Sequence, residues 1–347
     1  MFATTDTYPR INIIKGLRLA VVAVALVCFF ALSACSANPI NDTPPTIASA
    51  TPAVSPQVTV APAGEVRALP VKARAAVFDA GTASLVVLGA DGVTILPATD
   101  GPARDVALPS PASALTGDGR GVVYLSTRGG YLRVDVRTGQ ATSTRVAETD
   151  TDFTAIALRS DGRLVLGSAD GAVYTLGSNA GVAASVKIFA RVDGLVTQGN
   201  TAVVLDRGQT SVTTIDPDGS KAQHALRAGE GATTLAADSL GRVLVADTRG
   251  GSLLVFGTDP LMLRQSYPVR SAPYGLVGTR TLAWVSLTAT NVVVGYDLAT
   301  GIPVEKVRYP TVRQPDVLAF DDATSTLYVA SASGDGIQVI NDAGRPR

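Results

Sequence analysis

From residue 75 to the C-terminus, short apolar runs alternate with polar turns, and the alternation itself recurs seven times at about 40 residues per copy. Each copy reads as an apolar run, a polar turn, a β-rich run, a tight Gly turn and a further β-rich run. The last apolar residue of the third run falls at Leu96, Val134, Leu176, Ile215, Phe256, Tyr296 and Ile340, in steps of 38, 42, 39, 41, 40 and 44 residues. Runs this short suit strands better than helices. The period, with three or four strands per copy, predicts a β-propeller, because no blade can bury both its faces alone. Regular spacing held to the C-terminus argues against a sandwich or a pair of β domains.

The third copy shows the pattern most plainly. Residues 154–158 (TAIAL) read as strand A, 164–168 (LVLGS) as strand B and 172–176 (AVYTL) as strand C, with turns between them. The fifth copy repeats this at 233–237, 243–247 and 252–256. Asp-Gly and Gly-Gly turns supply the positive φ that tight hairpins require. A more polar strand D follows in most copies, as at 221–227, 262–269 and 303–309, and polarity suits an outermost, solvated strand. The seventh copy stops short, with only seven residues after Ile340. Residues 65–71 (EVRALPV) precede the first strand A with nothing to pair with. They are expected to close the ring as strand D of the last blade, where Pro70 is tolerable on an edge strand. Residues 65–347 are therefore expected to form an all-β, seven-bladed, monomeric β-propeller.

The N-terminus predicts a location. Arg10, Lys15 and Arg18 precede an apolar run at 19–32 (LAVVAVALVCFFAL) that is short for a spanning helix. Residues 1–34 read as a lipoprotein signal peptide, and LSAC at 32–35 resembles the bacterial lipobox, in which the Cys thiol takes a diacylglyceryl thioether and becomes the mature N-terminus. Cys35 is the expected lipidation site, and the domain is expected at the cell membrane on its extracytoplasmic side. Cys28 leaves with the signal peptide, so the mature domain has no disulfide. Residues 35–64 read as the lipidated Cys and a Pro/Ala-rich linker holding six of the chain's 20 prolines. Such a stretch has little to bury and no period, so a disordered spacer is expected.

Charge removes one class of partner. The chain carries 29 basic and 29 acidic residues; without residues 1–34 these become 26 and 28, or net −2. No basic excess exists to neutralise a phosphate backbone, so nucleic acid is not an expected partner.

Several turns carry a resemblance. YDLATG at 296–301 and VDVRTG at 134–139 resemble the Ile-Asp-x-x-Thr-Gly turn of seven-bladed YVTN-type propellers, as do LYVA at 327–330 and YPV…APYG at 267–275. Taken with the lipobox, the linker and TDFTAI…SADG at 151–171, the chain resembles the LppL-like family of mycobacterial prolipoproteins. The resemblance covers most of the chain. It implies a lipid-anchored envelope protein and no particular biochemistry.

Candidate chemistry is sparse. The single histidine, His224, falls on an expected outer strand D, and no Gly-x-Ser-x-Gly turn exists, so a Ser-His-Asp triad and a zinc site are both disfavoured. The single tryptophan, Trp284, falls in strand B of the sixth blade, where packing between blades accounts for it. Glu148, Asp150 and Asp152 alternate in the loop before the third blade and are weak candidates for a hard cation. The motif at 216–219 (DPDG) opens like a calcium loop but lacks the later Glu and reads as a turn. No cofactor is expected.

Geometry points to one face. In an A-B-C-D meander the D-to-A and B-to-C connections share one end of the blade. That end gathers Arg128, Asp170, Arg207, Asp247, Arg249 and Asp335 from the hairpins, and Arg270 from the D-to-A loops. Arg191, Asp193, Asp206, Glu230, Arg313 and Asp316 join them, with Tyr131, Phe153 and Tyr274 close by. Mixed charge with a few aromatics suits a protein or glycan partner. The expected function is a binding or scaffold propeller in the cell envelope, more consistent with a non-enzyme. The alternatives are a metal-dependent hydrolase of the lactonase type and an envelope-assembly factor.

Overall fold

The computed structural model describes residues 1–3, 44–69, 71–99, 101–146 and 150–344. Pro44–Arg347 is one unit, built of seven four-stranded antiparallel sheets. Six are meanders of consecutive strands, spanning residues 75–107, 112–145, 153–187, 194–227, 232–268 and 273–310, numbered here as blades 1 to 6. Blade 7 takes strands A to C from residues 317–340 and its outermost strand from Glu65–Arg67. The architecture is the expected seven-bladed β-propeller. Each of the seven residues that marked the repeat lies in a strand C.

The continuous apolar runs have a simple cause. Side chains alternate across a strand, and here both faces are covered by a neighbouring blade. In strand B of blade 1, Leu85 and Val87 pack toward blade 7, while Val86 and Leu88 pack toward blade 2. Strand B of blade 4 divides likewise, with Ala202 and Val204 toward blade 3 and Val203 and Leu205 toward blade 5. The core is thus a ring of layers, one at each blade junction, and burying each branched side chain contributes about 1.5–3 kcal/mol. Trp284 is fully buried at such a junction, its ring 6.0 Å from Tyr309 and 6.3 Å from Phe320 of blade 7.

The ring closes through the N-terminal strand. Glu65 pairs with Val339, Val66 with Gln338 and Arg67 with Ile337. Closure is therefore as expected, over three residues of the seven; Pro70 lies outside the described residues. Leu69 and Val71 leave the sheet and pack on the cluster that joins blades 7 and 1.

The described part of the expected linker, residues 44–64, is not a free spacer. Residues 44–64 form neither helix nor strand, as their composition requires. They are nonetheless held against the propeller, with Ala50 7% and Ser55 3% exposed. Composition withholds a hydrophobic core from such a segment, but it leaves every backbone N–H and C=O available to a surface shaped to bond them. Residues 4–43, with the signal-peptide features and Cys35, lie outside the described residues. Among the described residues no helix is long and apolar enough to cross a membrane.

Candidate functional site

The two ends of the propeller are built differently. At one end, the A-to-B and C-to-D turns are capped by their own aspartates. Asp118 accepts from Arg120 N at 2.7 Å and Val122 N at 3.0 Å, Asp238 from Leu240 N at 3.0 Å and Arg242 N at 2.9 Å, and Asp321 from Ala323 N at 2.9 Å. Asp135 and Asp297, the aspartates of the two Asp-x-x-Thr-Gly turns, do the same for Thr138 and Ala299. These bonds hold both carboxyls below the usual carboxylate range. Asp216 accepts from Ser220 N and Lys221 N, so the DPDG segment is a turn.

At the opposite end the capping reaches across the sequence. Asp206, at the end of strand B in blade 4, accepts from Ala190 N at 2.8 Å and Arg191 N at 3.2 Å in the preceding D-to-A loop. Asp247 repeats this in blade 5, accepting from Glu230 N at 3.0 Å and Gly231 N at 2.8 Å. It also takes Gly250 N at 3.0 Å and is 3% exposed. Asp247 therefore builds the face and presents no carboxylate to a partner. Phe153 is likewise fully buried, edge-on to Tyr174, and Tyr131 is half-buried against Tyr124.

Residues 44–56 cross this end as a strap. Ile47 N donates to Gly208 O in blade 4 at 2.8 Å, and the Arg249 guanidinium of blade 5 donates to Ala48 O at 2.5 Å. Ala53 N donates to Thr288 Oγ1 of blade 6 at 3.0 Å, and Ser55 Oγ donates to Thr288 O at 2.6 Å. Gln314 of blade 7 closes a two-way grip, accepting from Ser55 N and donating to Ala53 O, both at 3.0 Å. Asn291 Nδ2 then donates to Pro56 O at 2.9 Å. Three residues beneath the strap take left-handed backbone: Ala272 at φ 56°, Asn291 at 52° and Gln314 at 52°. Strain of this kind costs about 1–3 kcal/mol per residue and is retained where surrounding contacts over-determine it.

Beside the strap lies the mouth of the central channel. The residue just before strand A is Arg74 in blade 1, Asp152 in blade 3, Asp193 in blade 4 and Asp316 in blade 7, equivalent positions of the repeat. A cavity of about 300 Å³ is lined by Lys72, Arg74, Tyr274 and Asp316 among others. Burial pushes the Asp316 carboxyl up to about 6, against a hydrogen bond from Gln314 Nε2 at 2.9 Å that acts to lower it. Gln314 thereby links the strap to the channel mouth. Arg207 spans the mouth from blade 4, donating through Nε to Thr233 O at 2.6 Å and through its terminal nitrogen to the Tyr274 hydroxyl at 3.4 Å.

Of the other expected face residues, Arg128 pairs with Asp152 at 3.7 Å, which uses one carboxylate of the candidate cation loop. Asp150 is exposed, and Glu148 lies outside the described residues. Asp170 pairs with Lys187 at 2.7 Å, and Asp335 accepts from the hydroxyls of Ser331 and Ser333. Arg270 is exposed. His224 sits on the outer strand of blade 4, exposed. Among the described residues no three His, Cys, Asp or Glu side chains come together as a metal cluster. Sequence reasoning missed Ser55, Thr288 and Gln314 as strap contacts and Lys72 and Arg74 at the mouth. Aligning the repeats one residue before strand A is enough to mark Arg74; the strap contacts carry no comparable signal.

Comparison with solved structures agrees on the fold. The chain is similar to a streptogramin B lyase (TM-score 0.67, 10% identity, 80% of this chain and 96% of that one). It is similar to a virginiamycin B lyase from Staphylococcus aureus (0.66, 12%, 80% and 99%). A chain of a mitotic checkpoint complex also matches (0.70, 11%, 85% and 99%). At such identities the likeness is one of fold, and the fold hosts unrelated functions. No protein-family model and no curated protein matches the chain.

Proposed function

We propose that the chain is a lipid-anchored, extracytoplasmic binding or scaffold propeller of the cell envelope, of the LppL-like prolipoprotein kind, whose protein or glycan partner docks on the strap-bearing face. The lipobox at 32–35 supports the anchor, and an acylated Cys35 would carry it. One observation carries the binding reading: this face already grips an extended polypeptide through side chains from blades 5, 6 and 7. Those side chains bond the strap's backbone, a mode that is tolerant of sequence and suits a surface for extended chains. The sector over blades 1 to 3 and the channel mouth lies beyond the strap, with Arg74, Arg128 and Tyr274 at its edge.

The test is a crosslinking pull-down from native membranes with paired charge reversals. Arg128→Glu with Arg270→Glu changes two exposed residues of the face and should weaken capture of the partner while leaving folding intact. Arg249 is unsuitable because it holds the strap, and Arg242 is unsuitable as a control because it pairs at 2.6 Å with the buried Asp238. Arg120→Glu with Lys221→Glu, exposed on the opposite end, is the control. Loss of capture by the control pair alone would place the partner on the other face.

A further inference from the structure

We infer that the mouth of the central channel is a binding site for a hydroxylated carboxylate of single-sugar size, a sugar acid, held by Lys72, Arg74, Tyr274 and Asp316. As to where the sugar acid comes from, it rests on the glycan form of the reading above. The fold leaves a charge unanswered at this mouth. Lys72 and Arg74 are exposed and flank Ala73, 4% exposed, whose N–H donates to Ser331 O of blade 7 at 3.0 Å. Both cations line the same cavity. Among the described residues neither makes an ion pair, and the Arg74 guanidinium makes one hydrogen bond, to Ala112 O at 3.3 Å. Most of its N–H fork is therefore open.

The rest of the lining fixes what kind of anion fits. Asp316 accepts from Gln314 Nε2 through one carboxylate oxygen at 2.9 Å, and among the described residues nothing donates to the other. The Tyr274 hydroxyl accepts from Arg207 at 3.4 Å, which leaves its own O–H to donate. Tyr274 is held in place from two other blades, by that bond and by Thr234 Oγ1 donating to its carbonyl. The mouth thus offers a charged fork and an O–H to an anion, and beside them an oxygen that needs a donor.

Three simpler ligands match less well. A plain acid, or the side chain of an acidic residue, brings only acceptors and sets its charge beside Asp316 with no hydrogen to share. A neutral sugar leaves Lys72 and Arg74 unanswered. A phosphate dianion brings two charges to a lining whose two cations and one carboxylate leave a single positive charge. A sugar acid brings one carboxylate for the cations, and hydroxyls that donate to Asp316 and accept from Tyr274. The cavity, about 300 Å³, lies at the lower end of the range for small-molecule sites and has room for one sugar ring.

The experiment is calorimetric titration of the full chain, purified in detergent, with D-glucuronate at neutral pH. Saturable binding is expected, with D-glucose and acetate at least about tenfold weaker. Lys72→Ala with Arg74→Ala should weaken D-glucuronate at least about tenfold, and Tyr274→Phe severalfold, without moving the melting temperature. Asp316→Asn should strengthen inorganic phosphate severalfold, since it removes the one negative charge of the lining. Arg120→Glu with Lys221→Glu, at the opposite end, should bind as the unaltered chain does. A uronate-terminated trisaccharide that binds more tightly than D-glucuronate assigns the sugar acid to a glycan, and one that binds more weakly assigns it to the free acid. No saturation by D-glucuronate or D-gluconate overturns the site, as does binding that survives the loss of Lys72 and Arg74. Equal affinity for N-acetyl-glutamate amide overturns the sugar acid in favour of a peptide, and tighter phosphate in the unaltered chain overturns the carboxylate. No captured partner is involved, so these failures are told apart from a failure of the docking reading.

Discussion

Two stretches of one N-terminal segment dock on the same propeller by different physics. Glu65–Arg67 adds a strand to blade 7, pairing backbone with backbone in register. Residues 44–56 cross four blades without joining any sheet, held by side chains such as Arg249, Thr288 and Gln314 that reach for the strap's backbone. The first satisfies a row of groups that any open sheet edge leaves unpaired. The second depends on residues up to 261 positions away happening to present the right donor or acceptor. One contact is demanded by the fold, and the other is particular to this chain.

That difference can be broken most severely at the seam. Deleting residues 65–71 should cost about 3–5 kcal/mol, because strand C of blade 7 loses its partner and Leu69 and Val71 leave the junction with blade 1. Calorimetry should show an earlier transition, and light scattering should show aggregation through the open edge. A truncation starting at Lys72 that melts like the full chain would mean the ring closes without this strand.

Next comes the platform under the strap. Asp247→Ala orphans two N–H groups of the loop on which Ala50 rests and one of its own hairpin, and should cost about 2–3 kcal/mol in denaturant unfolding. The strap should also become protease-sensitive, which separates loss of the platform from loss of core packing. Removing the grip alone is milder. Ser55→Ala with Gln314→Ala should cost about 1–2 kcal/mol and expose the strap to cleavage while the ring keeps its cooperativity. Equal damage from this pair and from the seam deletion would erase the distinction.

Acidity sharpens the comparison, since Gln314 also bonds Asp316. The Asp316 carboxyl titrates near 6 when folded, above its ordinary 3.8. The folded state therefore holds this proton more tightly, and its contribution to stability is full below about pH 4 and is lost as pH rises through about 6. Asp316→Asn should raise the melting temperature near pH 7 and flatten its dependence between about pH 4 and 6. An unchanged pH profile would show that this carboxyl is not buried against the strap's anchor. The smallest effect is expected at the other end: Asp118→Ala loses only two bonds within its own turn, about 0.5–1 kcal/mol by thermal melting, with the strap undisturbed.

The face was legible in outline and not in detail. Arg128, Arg270 and Tyr274 lie where a meander must put them, at the shared end of the D-to-A and B-to-C connections. Asp247 lies at the expected end but caps loops and does not face a partner, and burial of a carboxylate by two N–H groups from a distant loop leaves no trace in composition. Residues 44–64 depart from a free spacer for a related reason. Their prolines and alanines are those of an unstructured coil, and what orders them lies entirely on the surface they meet.

The sequence by itself determined the repeat, the seven blades, the tight Gly turns and the closing strand. Each follows from short-range pattern: alternation along a strand, a glycine where φ must be positive, an edge that must be paired. Only the tertiary structure decided that Asp206 and Asp247 cap distant loops, that Arg74, Tyr274 and Asp316 share one channel mouth, and that a proline-rich linker is a strap beside it. Those arrangements are made of contacts between residues tens to hundreds of positions apart, and their strength depends on geometry that exists only once the ring has closed.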